Sequence, residues 1–437
     1  MRVLPYPAVD ESRPFAGIEV VEFGQFIAVP FCAQLLAEGG ADVIKIEAPE
    51  GDPVRQLAPL ARGETRHFIS RNRGKRTLPL DLRHAGAKPV IERLLARADV
   101  VLTNFRPGLA AELGLDGPTL TQSHPRLIVG NVSAFGARGP DAKLAGMDLV
   151  VQARSGFMAA VHGTGEGLPG RGDNPPVADY MCAMTLSFGI ASALLRRERT
   201  GRGGEVDVYL LMAALTVQNN SFVRVESVDG PAQAQMRAQL ADLRAAGRPF
   251  EAQAALAPKT RTPGMISVYY RTYATKDAAV AVACVSSGLQ RALMKAVGLT
   301  DPAHERPITD REAQVKHYAE LGARMEALLA SRTAAEWKMV FDAHGIPAGA
   351  VKLPFEMLED EQALANGLFH DLAHPTIGTV RVLAPPVRLD GDGFRPQPAT
   401  PAFGSQTRAI LGELGFPDDE ITSLIEAGVT RDTLAGH

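Results

Sequence analysis

Gly17–Glu47 reads GIEVVEFGQFIAVPFCAQLLAEGGADVIKIE, and its rhythm decides the fold class. Ile18–Phe23 is a short run rich in β-branched residues that ends at Gly24. From about Pro30 to Glu38 the spacing is helical, and it stops at Gly39-Gly40, as helices do where glycine supplies a left-handed cap. Ala41–Glu47 is again a strand. Strand, helix, strand in so short a span is a parallel β-α-β unit, because parallel neighbours need a crossover between them.

The same rhythm runs on, with a helix over Ala85–Arg97 and strands over Asp99–Thr103 and Leu127–Val132. This predicts an α/β fold with a parallel sheet covered by helices. Ligands of such sheets bind beyond the carboxyl ends of the strands. The segments to watch are therefore Gly24–Pro30, Ala48–Arg55, Asn104–Gly108 and Ser133–Gly139. Asp179–Arg199 predicts a long, mostly apolar helix with small residues at Ala183, Ser187, Ala191 and Ala193. Arg196, Arg197 and Arg199 close it, where positive charge complements the helix dipole. Glu205–Leu211 is a further strand.

Past Ser221 the texture changes to Ala, Gln and Arg, helix-compatible over Ala232–Ala246. A smaller α/β unit follows, with strands at Ile266–Tyr273 and Ala278–Val285 and helices at Gly288–Val297, Ala313–Leu329 and Ala334–His344. Short strands and prolines after Pro347 lead to a helix at about Gln406–Leu414. The expected layout is a large domain from residues 1–215, a linker or lid over 216–262, a small domain over 263–346, and a return to the large domain over 347–437. A chain of 437 residues exceeds the size of one hydrophobic core, so two domains are expected.

Composition excludes several classes. The formal charge of −3 and the scattered basic residues leave no footprint for nucleic acid. No membrane span is expected, nor a secretory leader in MRVLPYPAVDESRPF, so the cytoplasm is the expected compartment. Cys32, Cys182 and Cys284 show no CxxC spacing, and the histidines form no HExxH pair, so neither a disulfide framework nor a metal site is expected. GEGLPG at Gly165–Gly170 fits GxGxxG literally. It neither follows a strand nor opens a helix, and Pro169 interrupts it, so no redox dinucleotide is expected.

Six ordered fragments carry a resemblance: Gly17–Arg55, NRGKRTLPLDLR (Asn72–Arg83), ADVVLTNFRPG (Ala98–Gly108), GMDLVVQARSG (Gly146–Gly156), PPVADYMCAM (Pro175–Met184) and RRERTGRGGEVDVYL (Arg196–Leu210). LGELGFPDDEITSL (Leu411–Leu424) looks like the matching end. Together they resemble the class III CoA-transferases, the group of formyl-CoA and carnitine CoA-transferases, whose superfamily includes α-methylacyl-CoA racemase. The resemblance implies a Rossmann-like large domain built from both chain ends, an inserted smaller α/β domain, and an interlocked homodimer. It implies coenzyme A and acyl-CoA as substrates with a carboxylic acid, and neither metal nor redox cofactor.

Asp179 aligns with the family's nucleophilic aspartate. A carboxylate suits that task, because it can take an acyl unit as a mixed anhydride and then CoA as a thioester. It follows Pro175-Pro176 and opens an apolar helix, where the dipole favours an anion by roughly 0.3–1 kcal/mol. Taken alone, the same position suits an ordinary helix-opening aspartate. The family holds CoA with an Asn-Phe pair, matched here by Asn104 and Phe105, and Arg106 in the same segment joins the expected CoA site. Leu80 and Arg83 fall at an adenine contact and a basic position near the ribose phosphate, although Arg83 fits a solvated surface equally well. Ile27 and Ala28 match the segment that passes beneath the CoA chain.

Departures from the pattern bear on the substrate. The loop reads Ala28-Val29-Pro30 instead of Ala-Gly-Pro, and Ile27 stands where oxalate-using relatives are polar. Glu112 replaces a phosphate-contacting basic residue, and the family's shielding glycine run has no counterpart near Thr260–Met265 beyond Gly264. A substrate less polar than oxalate and a differently built lid are expected. The alternatives are an acyl-CoA racemase or a non-catalytic CoA-ester-binding protein. Met147 stands where the racemases carry histidine, and its thioether cannot exchange a proton. Cys182 reads as a small core residue.

Overall fold

Six short segments become one parallel sheet in the computed structural model, which describes residues 10, 12–162, 175–257 and 262–433. The strands are β1 (Glu19–Glu22), β2 (Asp42–Glu47), β3 (Lys75–Pro79), β4 (Val100–Thr103), β5 (Ile128–Ser133) and β6 (Gly204–Tyr209). Their order is β3-β2-β1-β4-β5-β6, with every neighbouring pair parallel. The chain winds outwards from β1 through β2 to β3, then returns past β1 to β4 and winds the other way. The reversal falls between β1 and β4, and their carboxyl ends open the crevice where ligands of such sheets bind.

Both faces are buried along the central strands, and β4 (VVLT) is apolar nearly throughout, whereas β3 (KRTLP) and β6 (GEVDVY) carry charged positions. Val20, Val43, Val100 and Ile128 face α1 (Ala28–Glu38) and the long helix Val177–Thr200. Val21, Ile44, Val101 and Val129 face the other way, towards the helix Ala87–Arg97 and the carboxy-terminal helix Thr407–Glu413 through Ile410 and Leu411. In chain order we label two of these helices with four others: α2 (Arg66–Asn72), α3 (Ala87–Arg97), α4 (Asp148–Arg154), α5 (Val177–Thr200), α6 (Leu210–Thr216) and α7 (Glu226–Ala245). Met1–Ala255 together with Asn366–His437 make one compact unit, and Leu256–Ala365 make the other. The second unit pairs three antiparallel strands, Tyr270–Ala274, Ala279–Ala283 and Ala348–Ala350, around a core of Tyr269, Tyr273, Trp337 and Phe341.

Several expectations need correction. Ile266–Tyr273 is not one strand: Met265–Tyr269 form a π-helical turn, and the strand begins at Tyr270. Val268 and Tyr269, adjacent in sequence, both enter the same core, which the alternation of a strand forbids. The strand expected over Glu205–Leu211 stops at Tyr209, because Leu210, Ala213 and Ala214 bury one face of α6. α5, at 24 residues, is long and apolar enough to cross a membrane, contrary to the expectation that no stretch is. Here Ala178, Cys182, Leu186 and Ile190 pack into the core, and Gly189 admits Val206 so closely that a Cβ would sit 2.5 Å from it.

Candidate active site

α5 precedes β6 in a crossover between parallel strands, so it runs against them and its first turn lies at their carboxyl ends. Asp179 sits in that turn. Its main-chain N–H donates to Asp148 Oδ1 at 3.1 Å, and Asp148 Oδ2 accepts from Gln152 Nε2 on the same helix, α4. Gln152 Nε2 also donates to the Pro175 carbonyl at 3.1 Å, so the starts of α4 and α5 are stitched together. Burial pushes the Asp179 carboxyl up to about 7, Asp148 adds to the rise by like-charge repulsion, and Arg71 opposes it. The outcome is a carboxylate poorly stabilised by water, available near neutral pH for attack on a carbonyl.

Cys182, one turn further on, is buried, and burial followed by the charge of Asp179 raises its thiol far above the thiolate range. It is a core residue.

The loop after β1 is held from three directions. Asn104, at the end of β4, uses its whole amide on one residue: Oδ1 accepts from the Gln25 N–H at 3.0 Å and Nδ2 donates to the Gln25 carbonyl at 2.8 Å. Lys45 Nζ donates to the Gly24 carbonyl, and Lys75 Nζ to the Pro30 carbonyl at 2.7 Å. Between these anchors Phe26 has φ 65°, a left-handed conformation that non-glycine residues hold only when their surroundings impose it. Gly24 is obligatory here, since a Cβ would lie 2.1 Å from Val29 Cγ1.

The lysines are fixed by a buried ion cluster. Glu22 reaches Lys45 at 3.1 Å and Lys75 at 2.7 Å, and Asp52 meets Lys45 at 3.0 Å. Beside it Arg55 bonds Glu47 and stacks over Phe68, its guanidinium 3.4 Å from the ring centroid. None of these cluster residues was singled out from the sequence. The available signal was a set of charges at strand positions, such as Glu22 and Lys45, amid aliphatic neighbours.

Among the expected CoA contacts, the structure brings Ile27, Ala28, Asn104 and Phe105 together at the switch between β1 and β4. Ile27 caps α1, Ala28 is buried, and Phe105 packs on Phe23 with ring centroids 5.7 Å apart. Arg106 and Arg83 are exposed on the loops after β4 and β3, which β2 and β1 separate in the sheet. Leu80 differs from expectation: it is 1 % exposed and packs in the core beside Leu78, which leaves its side chain no open surface for an adenine ring. Gly165–Gly170 lie outside the described residues, as do residues 260 and 261 of the segment compared with the shielding glycine run. Among the described residues no three His, Cys, Asp or Glu side chains gather as metal ligands do.

Comparison with known proteins extends over nearly the whole chain. Residues 15–407 match CoA-transferase family III. A cinnamoyl-CoA:phenyllactate CoA-transferase of Clostridium sporogenes is 28% identical over 424 residues, covering 95% of this chain and 97% of its own. A succinyl-CoA–D-citramalate CoA-transferase of Chloroflexus aurantiacus is 29% identical, covering 94% and 97%. A solved structure of a CaiB/BaiF family protein from Brucella suis is similar with a TM-score of 0.72 at 28% identity, over 92% of this chain and 99% of that one.

Proposed function

This chain belongs to CoA-transferase family III, and on that premise we propose that it moves CoA from an acyl-CoA to a carboxylic acid through Asp179. The Asp179 carboxylate attacks the thioester carbonyl of R–CO–SCoA, giving a mixed anhydride and the CoA thiolate. The thiolate then attacks the aspartyl carbonyl, and R–COO⁻ leaves an aspartyl-CoA thioester. An acceptor R′–COO⁻ repeats these steps in reverse, releasing R′–CO–SCoA and restoring the carboxylate. Every bond made is matched by one broken, and no oxidant or reductant is consumed.

The observation that carries this reading is the setting of Asp179: a half-buried carboxylate in the first turn of α5, tied by its N–H to Asp148 and raised to about 7. CoA lies, in this reading, across the carboxyl ends of β1 and β4, on a sheet whose strand order is that of Rossmann-like folds. The Asn104–Gln25 bonds shape the loop under its pantetheine chain, and exposed Arg83 and Arg106 meet its phosphates. Ile27, Phe31 and Tyr180 give the acid's body an apolar wall, with the two rings edge to face at 5.0 Å. This favours acids less polar than oxalate, in keeping with the phenyllactate and citramalate that name the two relatives. Exposed Phe188, Leu195, Met212 and Phe222 make the face of a homodimer.

The test is mass spectrometry of the Asp179 peptide after mixing with succinyl-, acetyl- or cinnamoyl-CoA and quenching with hydroxylamine. A hydroxamate at Asp179, absent from Asp179→Ala, is the expected result. An unmodified peptide with all three donors would remove the covalent mechanism.

A further inference from the structure

Arg71, on α2, is 7 % exposed and forms no ion pair with a described carboxylate. The other deeply buried lysines and arginines are paired: Lys45 and Lys75 with Glu22, Arg55 with Glu47, Arg73 with Glu38 and Arg197 with Asp99. Among the described residues no carboxylate comes within ion-pair distance of Arg71. Its Nε donates to Tyr180 Oη at 3.3 Å and its Nη1 to the His67 carbonyl at 3.3 Å. No described residue accepts from Nη2. A buried cation without a counter-ion is strongly unfavourable, so such a group is kept for an anion that comes and goes.

Its surroundings say where that anion sits. Tyr180 follows Asp179 on α5, and its ring is braced edge-on against Phe31. The phenol therefore ties the guanidinium to the first turn of α5, which carries the nucleophile. The two charges interact, since Arg71 opposes the rise in the Asp179 pKa.

We propose that Arg71 anchors the free carboxylate of the acid substrate and product, serving as its counter-ion whenever Asp179 is acylated. This rests on the reading of Asp179 as the nucleophile. In the resting enzyme the Asp179 carboxylate interacts with the charge of Arg71. Once Asp179 becomes an anhydride or thioester it is neutral, and Arg71 loses that compensation. At that stage the reaction releases R–COO⁻ and admits R′–COO⁻, each next to the aspartyl carbonyl. One cation thus faces a carboxylate at both ends of each half-reaction, first the enzyme's and then the substrate's. The ligand class is a small carboxylate with an apolar body, its head on Arg71 and its body on the rings of Phe31 and Tyr180.

The test is isotope exchange between an acyl-CoA and its own labelled acid, succinyl-CoA with ¹³C-succinate or acetyl-CoA with ¹³C-acetate. The parent acid must be accepted, because it is the product of the first half-reaction. In Arg71→Met the acid concentration for half-maximal exchange should rise about ten- to a hundredfold, the loss of a charge-assisted hydrogen bond. The acyl-CoA dependence should move by no more than about threefold, since CoA touches other residues, and Arg71→Lys should fall between the two. An unmoved acid dependence would overturn the proposal. So would a parallel loss of acid and acyl-CoA affinity with a lower melting temperature, the mark of a structural role. If Arg71→Met does not fold, Arg71→Lys decides: a rise in the acid requirement alone supports the anchor, and an unchanged requirement overturns it. Exchange and hydroxamate both absent from the wild type would instead remove the transferase reading and this inference with it.

Discussion

The main-chain N–H of Asp179 donates to Asp148 Oδ1 at 3.1 Å, which seats one carboxylate against the root of another. Asp148 thereby positions the first turn of α5 and, through its charge, makes ionisation of Asp179 harder. The two roles separate in Asp148→Asn, which keeps an oxygen acceptor and removes the charge. Attack requires ionised Asp179, so the rate of adduct formation should climb as pH rises through about 7. In Asp148→Asn that limb should move to lower pH by about one unit, as expected when a close like charge is removed. Rapid-quench measurement of the hydroxamate from pH 5 to 9 reads the shift, and an unmoved limb would assign the raised pKa to burial alone.

The same raised pKa makes Asp179 a cost to the fold at alkaline pH. In the unfolded chain an aspartate titrates near 3.9, whereas folded Asp179 titrates at about 7. Between those values the folded state holds the extra proton, so this group's contribution to stability falls as pH rises from about 4 through 7 and then levels off. Asp179→Asn removes the ionisable group. Its melting temperature should match the wild type near pH 4 and exceed it by a few degrees at pH 8. Equal melting temperatures at pH 8 would mean that the ionised carboxylate is well solvated in the fold.

What the sequence made legible follows from what each residue announces by itself. β1, α1 and β2 were readable because Val20, Val21, Val43 and Ile44 bury on both faces of the sheet and leave an unmistakable apolar run. Asp179 stood out only through the resemblance carried by PPVADYMCAM, since a place after two prolines at the head of an apolar helix suits an ordinary helix-opening aspartate. β3 was not: its residues are KRTLP, and Lys75 is buried only because Glu22, far away in sequence, lies 2.7 Å from its ammonium. Arg71 was hidden in the same way, since ISRNRGK looks like a solvated charged stretch until Tyr180 closes over it. The π-turn at Met265–Tyr269 was misread as a strand because aromatic and β-branched composition does not reveal which faces are buried. Leu80, aligned with an adenine contact, also lies in the core, which its sequence position does not announce.

The Glu22, Lys45, Lys75 and Asp52 cluster gives a stability prediction with an internal control. Lys45→Met leaves Glu22 and Asp52 buried with one partner fewer, and breaking a buried pair on one side costs about 3–5 kcal/mol. Adding Asp52→Asn removes the stranded charge and keeps an oxygen to accept from the Val54 N–H, a bond now 3.1 Å long. The double variant should recover part of the loss, which urea unfolding of the single and double variants would measure. Additive losses would show that Lys45 and Asp52 are not energetically coupled. Lys45 also holds the Gly24 carbonyl, so the single variant should acylate Asp179 more slowly even where it remains folded.

Phe188 is 75 % exposed in the middle of α5, a helix whose opposite side packs the core. Leu195 on the same helix and Met212 on the neighbouring α6 are also exposed, as are Phe222 and Val223 just beyond it. At about 25 cal/mol per Å² of apolar surface, leaving so many large side chains in water forgoes several kcal/mol. A second copy of the chain would recover it. Light scattering coupled to size exclusion should give a dimer at micromolar concentration. Phe188→Glu would place a charge in the middle of that interface and should weaken dimerisation at least about a hundredfold, the scale of a central aromatic anchor. The far-ultraviolet circular dichroism should stay unchanged, because Phe188 contributes little to its own core. A wild-type protein that runs as a monomer at these concentrations would mean that something other than a second copy covers α5.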